Sequence, residues 1–214
     1  MSIALSDSSG KRDVPDSLKR YPFRSAVIEL EYGGSCSGKQ IIYVDDYGMK
    51  ETKVDSFITE IMGMPAPTHK LQIQDWDSTF SVDLLKGVAT RGLTPFTSEE
   101  RHELAELGKG VAREMGIQEG PDTVLGKPCT VWSMPSMNSR ASIWNDITLK
   151  SSVELDEWKQ LLEEKRIKLE VAVPRNVFAI PAGMKTFSPD DINKMLEKMD
   201  KGKAKPVKKT KKKK

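Results

Sequence analysis

Apolar and polar side chains alternate along much of this chain, and the alternation predicts strands. From Ser25 to Tyr32, Ala26, Ile28, Leu30 and Tyr32 fall on one face while Val27, Glu29 and Glu31 take the other. Gly33 to Gly38 reads as a loop, Lys39 to Val44 as a second strand, and Asp45-Asp46-Tyr47-Gly48 as a hairpin turn. Met49 to Ile61 begins extended, and Gly63 to Thr68, with Pro65 and Pro67, reads as a connection. His69 to Gln74 and Thr79 to Asp83 flank the turn Asp75-Trp76-Asp77-Ser78, with Leu71 and Ile73 matched to Phe80 and Val82. Trp76 is expected to be exposed at that turn tip. Lys86-Gly87 then reverses the chain into Val88-Ala89-Thr90.

The richest stretch is Leu125 to Lys150. Cys129 to Ser133 runs outward, Met134 to Arg140 is turn-rich, and Ala141 to Lys150 returns with a kink at Asn145-Asp146. Trp132 and Trp144 sit on these two runs, and large aromatics favour a half-buried pleated surface. Two strands are marginal in water, so they imply a larger sheet. Ser151 to Gln160 is ambiguous between loop and helical turn. Leu161 to Val173 resolves as a strand near its end, Pro174-Arg175-Asn176 turns, and Val177 to Pro181 makes a last short strand.

Two segments switch to helical spacing. Thr97-Ser98-Glu99-Glu100 forms a capping box ahead of Leu104, Leu107, Val111 and Met115, and Gly116 ends that helix. Ser188-Pro189-Asp190-Asp191 supplies a cap, a first-turn proline and an acid before Ile192, Met195, Leu196 and Met199.

Length and charge refine this outline. At 214 residues the chain fits one domain, residues 21–199, between a disordered segment at 1–20 and a disordered tail at 200–214. Residues 201–214 hold nine lysines and no acid, so the net +3 of the whole becomes about −6 for residues 1–200. Lys208, Lys209, Lys211 and Lys212 are the candidates for docking on an anionic surface or envelope protein. No arginine or aromatic interleaves the tail lysines, which argues against sequence-specific nucleic-acid recognition. No apolar run is long enough to span a bilayer.

Candidate chemistry is sparse. The glycines of 33–38 lack the phosphate-binding pattern, and acid pairs such as Asp45-Asp46 and Asp190-Asp191 sit at turns and caps. Neither histidine nor cysteine falls in a catalytic or metal motif, so no catalysis, metal or cofactor is expected. Cys36 and Cys129 leave two readings open: one disulfide in an oxidising compartment, or two unpaired, partly buried thiols. Residues 1–6, ending Ala4-Leu5-Ser6 before Asp7, fit either the remnant of a signal peptide or a disordered cytoplasmic N-terminus.

Several short motifs carry a resemblance. They are Tyr21-Pro22-Phe23-Arg24-Ser25-Ala26, Gly38-Lys39 leading to Tyr43-Val44-Asp45-Asp46-Tyr47-Gly48, and Asp75-Trp76 followed by Val82-Asp83-Leu84. Leu125 to Trp132, Trp144 to Lys150 and Phe178-Ala179-Ile180-Pro181-Ala182-Gly183 complete the set. In that order they resemble an outer branch of the LolA/LolB-like exported bacterial proteins with the lipoprotein-carrier fold. The resemblance implies an α+β fold: a strongly curved antiparallel sheet, an open half-barrel, with helices packed across its concave face. It further implies a lipid or lipoprotein acyl chain held between sheet and helices. The lining candidates are Ile28, Leu30, Tyr43, Phe80, Val82, Leu104, Leu107, Val111, Trp132 and Trp144. The expected function is a non-enzymatic periplasmic carrier. The alternative is an envelope scaffold with a filled core, docking on an anionic partner through its tail.

Overall fold

The computed structural model describes residues 13–61, 63–92, 116–191 and 194. Of these residues 63% are strand and 11% helical. The strands are β1 (Ala26–Gly34), β2 (Cys36–Asp45), β3 (Lys50–Ile61), β4 (Met64–Asp75), β5 (Ser78–Asp83), β6 (Val88–Arg91), β7 (Ile117–Val124), β8 (Lys127–Met134), β9 (Ser139–Trp144), β10 (Ile147–Leu155), β11 (Trp158–Leu169) and β12 (Lys185–Phe187). They form one sheet in the order β12-β6-β5-β4-β3-β2-β1-β11-β10-β9-β8-β7. Neighbours are antiparallel except β12, which runs parallel to β6. β12 follows β11 in the chain but pairs beyond β6 at the sheet's edge, so residues 170–184 cross one face of the sheet to bring it there.

This architecture corrects the α+β expectation. Among the described residues the helical pieces are four 3-10 turns and the first turn from Pro189; no helix packs across the sheet. The expected helix at 97–115 lies outside the described residues. Segments read as loops are strand instead. Gly33 to Gly38 is a tight reversal at Ser35, with glycines serving close approach: a Cβ on Gly38 (φ 146°) would lie 2.3 Å from the Ser56 carbonyl oxygen. The kink at Asn145-Asp146 is a full two-residue hairpin, both residues at positive φ and Trp144 facing Ile147. The ambiguous 151–160 supplies the ends of β10 and β11, turning at Asp156. The expected last strand at 177–181 is a 3-10 turn, Arg175–Phe178, followed by irregular chain.

The connection at 63–68 also belongs to a strand, β4, despite two prolines. The carbonyl of His69 accepts from Leu84 N at 3.0 Å, so its polar groups face the β5 side. Backbone orientation alternates along a strand, so Pro65 and Pro67 face that side too, where β5 reaches only from Lys70. Neither proline removes a ladder bond. That is why an edge tolerates them.

Three clusters of apolar side chains hold the sheet. The main core joins Ala26, Ile28 and Leu30 of β1, Ile42 and Val44 of β2, and Val124, Cys129, Ile147 and Leu149 of the β7–β10 half. Tyr21 and Phe23 lie over it. The sheet curls to let its halves meet: Lys127 on β8 acts electrostatically on Glu164 of β11, three strands away. A flat sheet would hold those strands ~14 Å apart.

The second cluster, Val14, Leu18 and Met49 with Tyr47 and Trp76, anchors residues 13–20, which were expected outside the fold. Trp76 is therefore half-buried rather than exposed. The third joins Ile73, Val82 and Ala89 on the opposite face, covered by Ile180 and Met184 of the crossover. Thr52 Oγ1 donates to Val177 O at 2.9 Å and pins the crossover down.

Candidate ligand-binding cleft

The β8–β10 face holds a cleft, and the strand registers show why. Thr130 pairs with Ile143, Trp132 with Ala141 and Met134 with Ser139, so these six share one face. Across β10, Ser151 lies opposite Ala141 and Val153 opposite Ser139. The middle of this surface is therefore floored by Ala141, Ser139 and Ser151, whose side chains are too short to fill it. Trp132, Met134, Ile143 and Val153 stand around them, and Met137 closes one end. The result is a cleft of about 780 Å³ with a mainly apolar lining. That volume lies in the ordinary range for small-ligand sites.

The polar groups in the cleft are few. Thr130, Thr148, Ser151 and Ser152 contribute hydroxyls. Ser139 Oγ is buried with no hydrogen-bond partner, an expensive arrangement. Arg140 on the rim donates through Nε to Glu119 Oε2 at 2.6 Å, and that bond, with help from Ser133, holds the Glu119 carboxyl below the ordinary glutamate range. The rim cation is thus neutralised locally. Among the described residues no group of three His, Cys, Asp or Glu is placed to hold a metal. The arrangement favours burial of an apolar body with one or two hydrogen bonds.

Of the seven lining candidates among the described residues, Trp132 alone is found in the cleft. Ile28 and Leu30 are 0% and 1% exposed in the main core, packed where a ligand was expected. Trp144, one residue beyond the cleft's Ile143, points to the core and stacks on Phe23 at 5.8 Å, which stacks on Tyr21 at 5.4 Å. Arg20 and Lys127 cap this aromatic row, 5.1 and 5.0 Å from the Tyr21 and Trp144 rings. Tyr43 pairs with Val27 and Thr52 and so faces away from Ile28 and Ile42. Phe80 and Val82 belong to the cluster beneath the crossover. Leu104, Leu107 and Val111 lie outside the described residues, as do Lys208, Lys209, Lys211 and Lys212.

Of the two readings left open for the cysteines, the structure has the unpaired thiols. Cys36 and Cys129 are free and buried. They lie on β2 and β8 with four strands between them, Cys36 Sγ 3.3 Å from Thr59 Oγ1 and Cys129 Sγ donating to Lys127 O at 3.4 Å. Sequence reasoning also missed Met134, Met137, Ser139, Ile143 and Val153. Trp132 and Met134 share parity, as do Ala141 and Ile143, and that was the available signal. It was obscured because 134–140 reads as turn and 151–160 as ambiguous.

The main core carries two buried glutamates with opposite electrostatics. Burial pushes the Glu51 carboxyl upward, but Lys53, Arg20 and the Tyr21 hydroxyl, the last at 2.6 Å, outweigh it and hold its pKa below the ordinary value. Glu164 has only the more distant help of Lys127, and burial raises its pKa.

No family model matches the sequence, and no curated protein matches it. Among solved structures, the chain is similar to an uncharacterized conserved protein from Thermus thermophilus, with TM-score 0.51 and 7% identity over 81% of this chain and 95% of that one. A chain of the Pseudomonas aeruginosa MucA/MucB complex aligns with TM-score 0.39 and 11% identity, over 80% of this chain and 60% of that one. LprF from Mycobacterium bovis aligns with TM-score 0.35 and 9% identity, over 74% of this chain and 92% of that one. This chain therefore spans about 60% of the length of the MucA/MucB chain that it matches. The likeness to the Thermus protein is one of fold.

Proposed function

We propose that the protein is a non-catalytic binder of an amphipathic ligand, an acyl chain bearing a hydrogen-bonding group, and that the Trp132 cleft is its site. The observation that carries this reading is the floor of Ala141, Ser139 and Ser151 between Trp132, Met134, Ile143 and Val153. An apolar wall around short floor residues excludes water from a chain laid along it, at roughly 25 cal/mol per Å² buried. The hydroxyls of Thr130, Thr148, Ser151 and Ser152 along the cleft would meet a polar group of the ligand. A carrier of this kind fits the carrier resemblance and an exported, periplasmic setting, which fractionation of the native host would check.

Titration with neutral monoacylglycerols, followed by tryptophan fluorescence, tests the cleft. Saturable binding is expected, weakened at least tenfold by Ala141→Phe, which fills the floor, while the thermal midpoint stays within a few degrees. No saturable response at any chain length, or equal affinity in Ala141→Phe, overturns the reading.

A further inference from the structure

Glu164 is 3% exposed in the main core, and its Oε2, unlike the carboxylate of Glu51, has no hydrogen-bond partner. A β-bulge put it there. Leu169 and Ile167 of β11 face the core, and strict alternation would bury Lys165 next. The register instead shifts between Glu29 and Leu30, so that Arg166 pairs with Glu29 and Glu164 with Leu30. Lys165 is freed to reach Glu31 at 3.2 Å on the outer face, and Glu164 turns inward in its place. The exchange has a physical logic. A buried carboxyl becomes neutral by gaining a proton, and burial raises its pKa in that direction, whereas a buried ammonium needs a far larger shift to lose its charge.

The surroundings of Glu164 are apolar on most sides. Leu30 faces it from β1, with Gln40 of β2 beyond, and Gln40 is already bonded to Asp55 at 2.7 Å. Tyr32, next on that face of β1, gives its hydroxyl to Asp55 at 2.8 Å. Leu149 of β10 is fully buried beside Lys150, whose partner on β11 is Glu163. One ionisable group acts on it from β8, Lys127, and Glu164 in turn helps to raise the pKa of Cys129 on the same strand. Lys127 is drawn over the Trp144 ring. Cys129 and Val131 are the core side of β8, and Thr130 and Trp132 are its cleft side. One strand thus separates the buried carboxyl's surroundings from the cleft.

We propose that Glu164 is a proton-operated strut beneath the Trp132 cleft. Protonated, it belongs to the packed core that holds β8 in place; ionised, it loosens β8 and the cleft floor with it. This rests on the cleft being the ligand site, and the test separates the two.

Hydrogen exchange of the β8 amides and affinity for neutral N-phenyl-1-naphthylamine are measured at about pH 5 and about pH 8. Both are followed in the native chain and in Glu164→Gln, with Glu164→Met as a second variant should the first fold poorly. The native chain should show faster β8 exchange and several-fold weaker probe binding at the higher pH. In the variants both changes should vanish. Equal pH dependence of β8 exchange in native and variant chains overturns the strut. Faster β8 exchange confined to the native chain, with no probe bound at any pH, keeps the proton-dependent packing of β8 but removes the cleft as the site.

Discussion

Glu51 and Glu164 show how one residue type acquires opposite roles inside one core. Glu51 is 7% exposed but meets Tyr21, Arg20 and Lys53 at 2.6, 3.6 and 3.3 Å. Its folded pKa is depressed below the ordinary 4.5, so its contribution is complete above that value. It is lost as pH falls through the lowered native value. Glu164 runs the other way: its stability penalty is absent below 4.5 and grows as pH rises toward its raised native pKa. Glu51→Gln should therefore flatten the acid limb of a stability-versus-pH curve and leave the alkaline side unchanged. At neutral pH it should cost about 2 kcal/mol, since Arg20 and Lys53 are partly exposed and rehydrate. Urea denaturation at several pH values reads both effects. An acid limb as steep as in the native chain would refute the assignment. Neither glutamate was legible in the sequence, because burial of an acid depends on what lies across the sheet from it. Glu51 reads as an ordinary polar position beside a turn. Glu164 lies in a run where only the bulge decides which side faces inward.

Among the elements, the strand pairs joined by short turns were the most legible. The faces of β1 and the match of Leu71 with Val82 and Ile73 with Phe80 are as period-two alternation predicted. The prolines of β4 misled, since proline demotes a strand only when its missing N–H faces a partner. Their placement has a consequence. The outer edge of β4 before Lys70 is unpaired by β5, and Met64 is 65% exposed there. Pro65 and Pro67 remove the donors that an incoming strand would use, a means of blocking edge-to-edge association. The double substitution Pro65→Val and Pro67→Val should leave the monomer folded and introduce concentration-dependent association. Size-exclusion chromatography with light scattering detects it; a strictly monomeric variant at high concentration would show that the prolines have another role.

For the whole molecule, closure comes from curling of the sheet and from the crossover at 170–184. Cys36 and Cys129 are separate buried thiols, so the thermal midpoint should not move when reductant is added. A disulfide closing that span would contribute about 4 kcal/mol, and its loss would lower the midpoint by several degrees. A reductant-sensitive midpoint would contradict the separation of β2 and β8.

The residue pattern by itself determined most of the strands, their hairpin turns and the inward face of β1, because alternation and turn chemistry are local. It also placed the cap at Ser188, whose hydroxyl accepts from Asp191 N at 3.2 Å. Tertiary structure alone decided three things. It set which faces meet: Ile28, Leu30 and Trp144 became core because β7–β10 curls back over β1 and β2. It set where space remains, because a cleft is the difference between neighbouring side chains on separate strands. Ala141, Ser139 and Ser151 are inconspicuous until the registers place them side by side. And it set the burial of Glu164, which follows from one slipped residue in the β1–β11 ladder. Each depends on pairing between segments distant in the chain, and no local pattern records that.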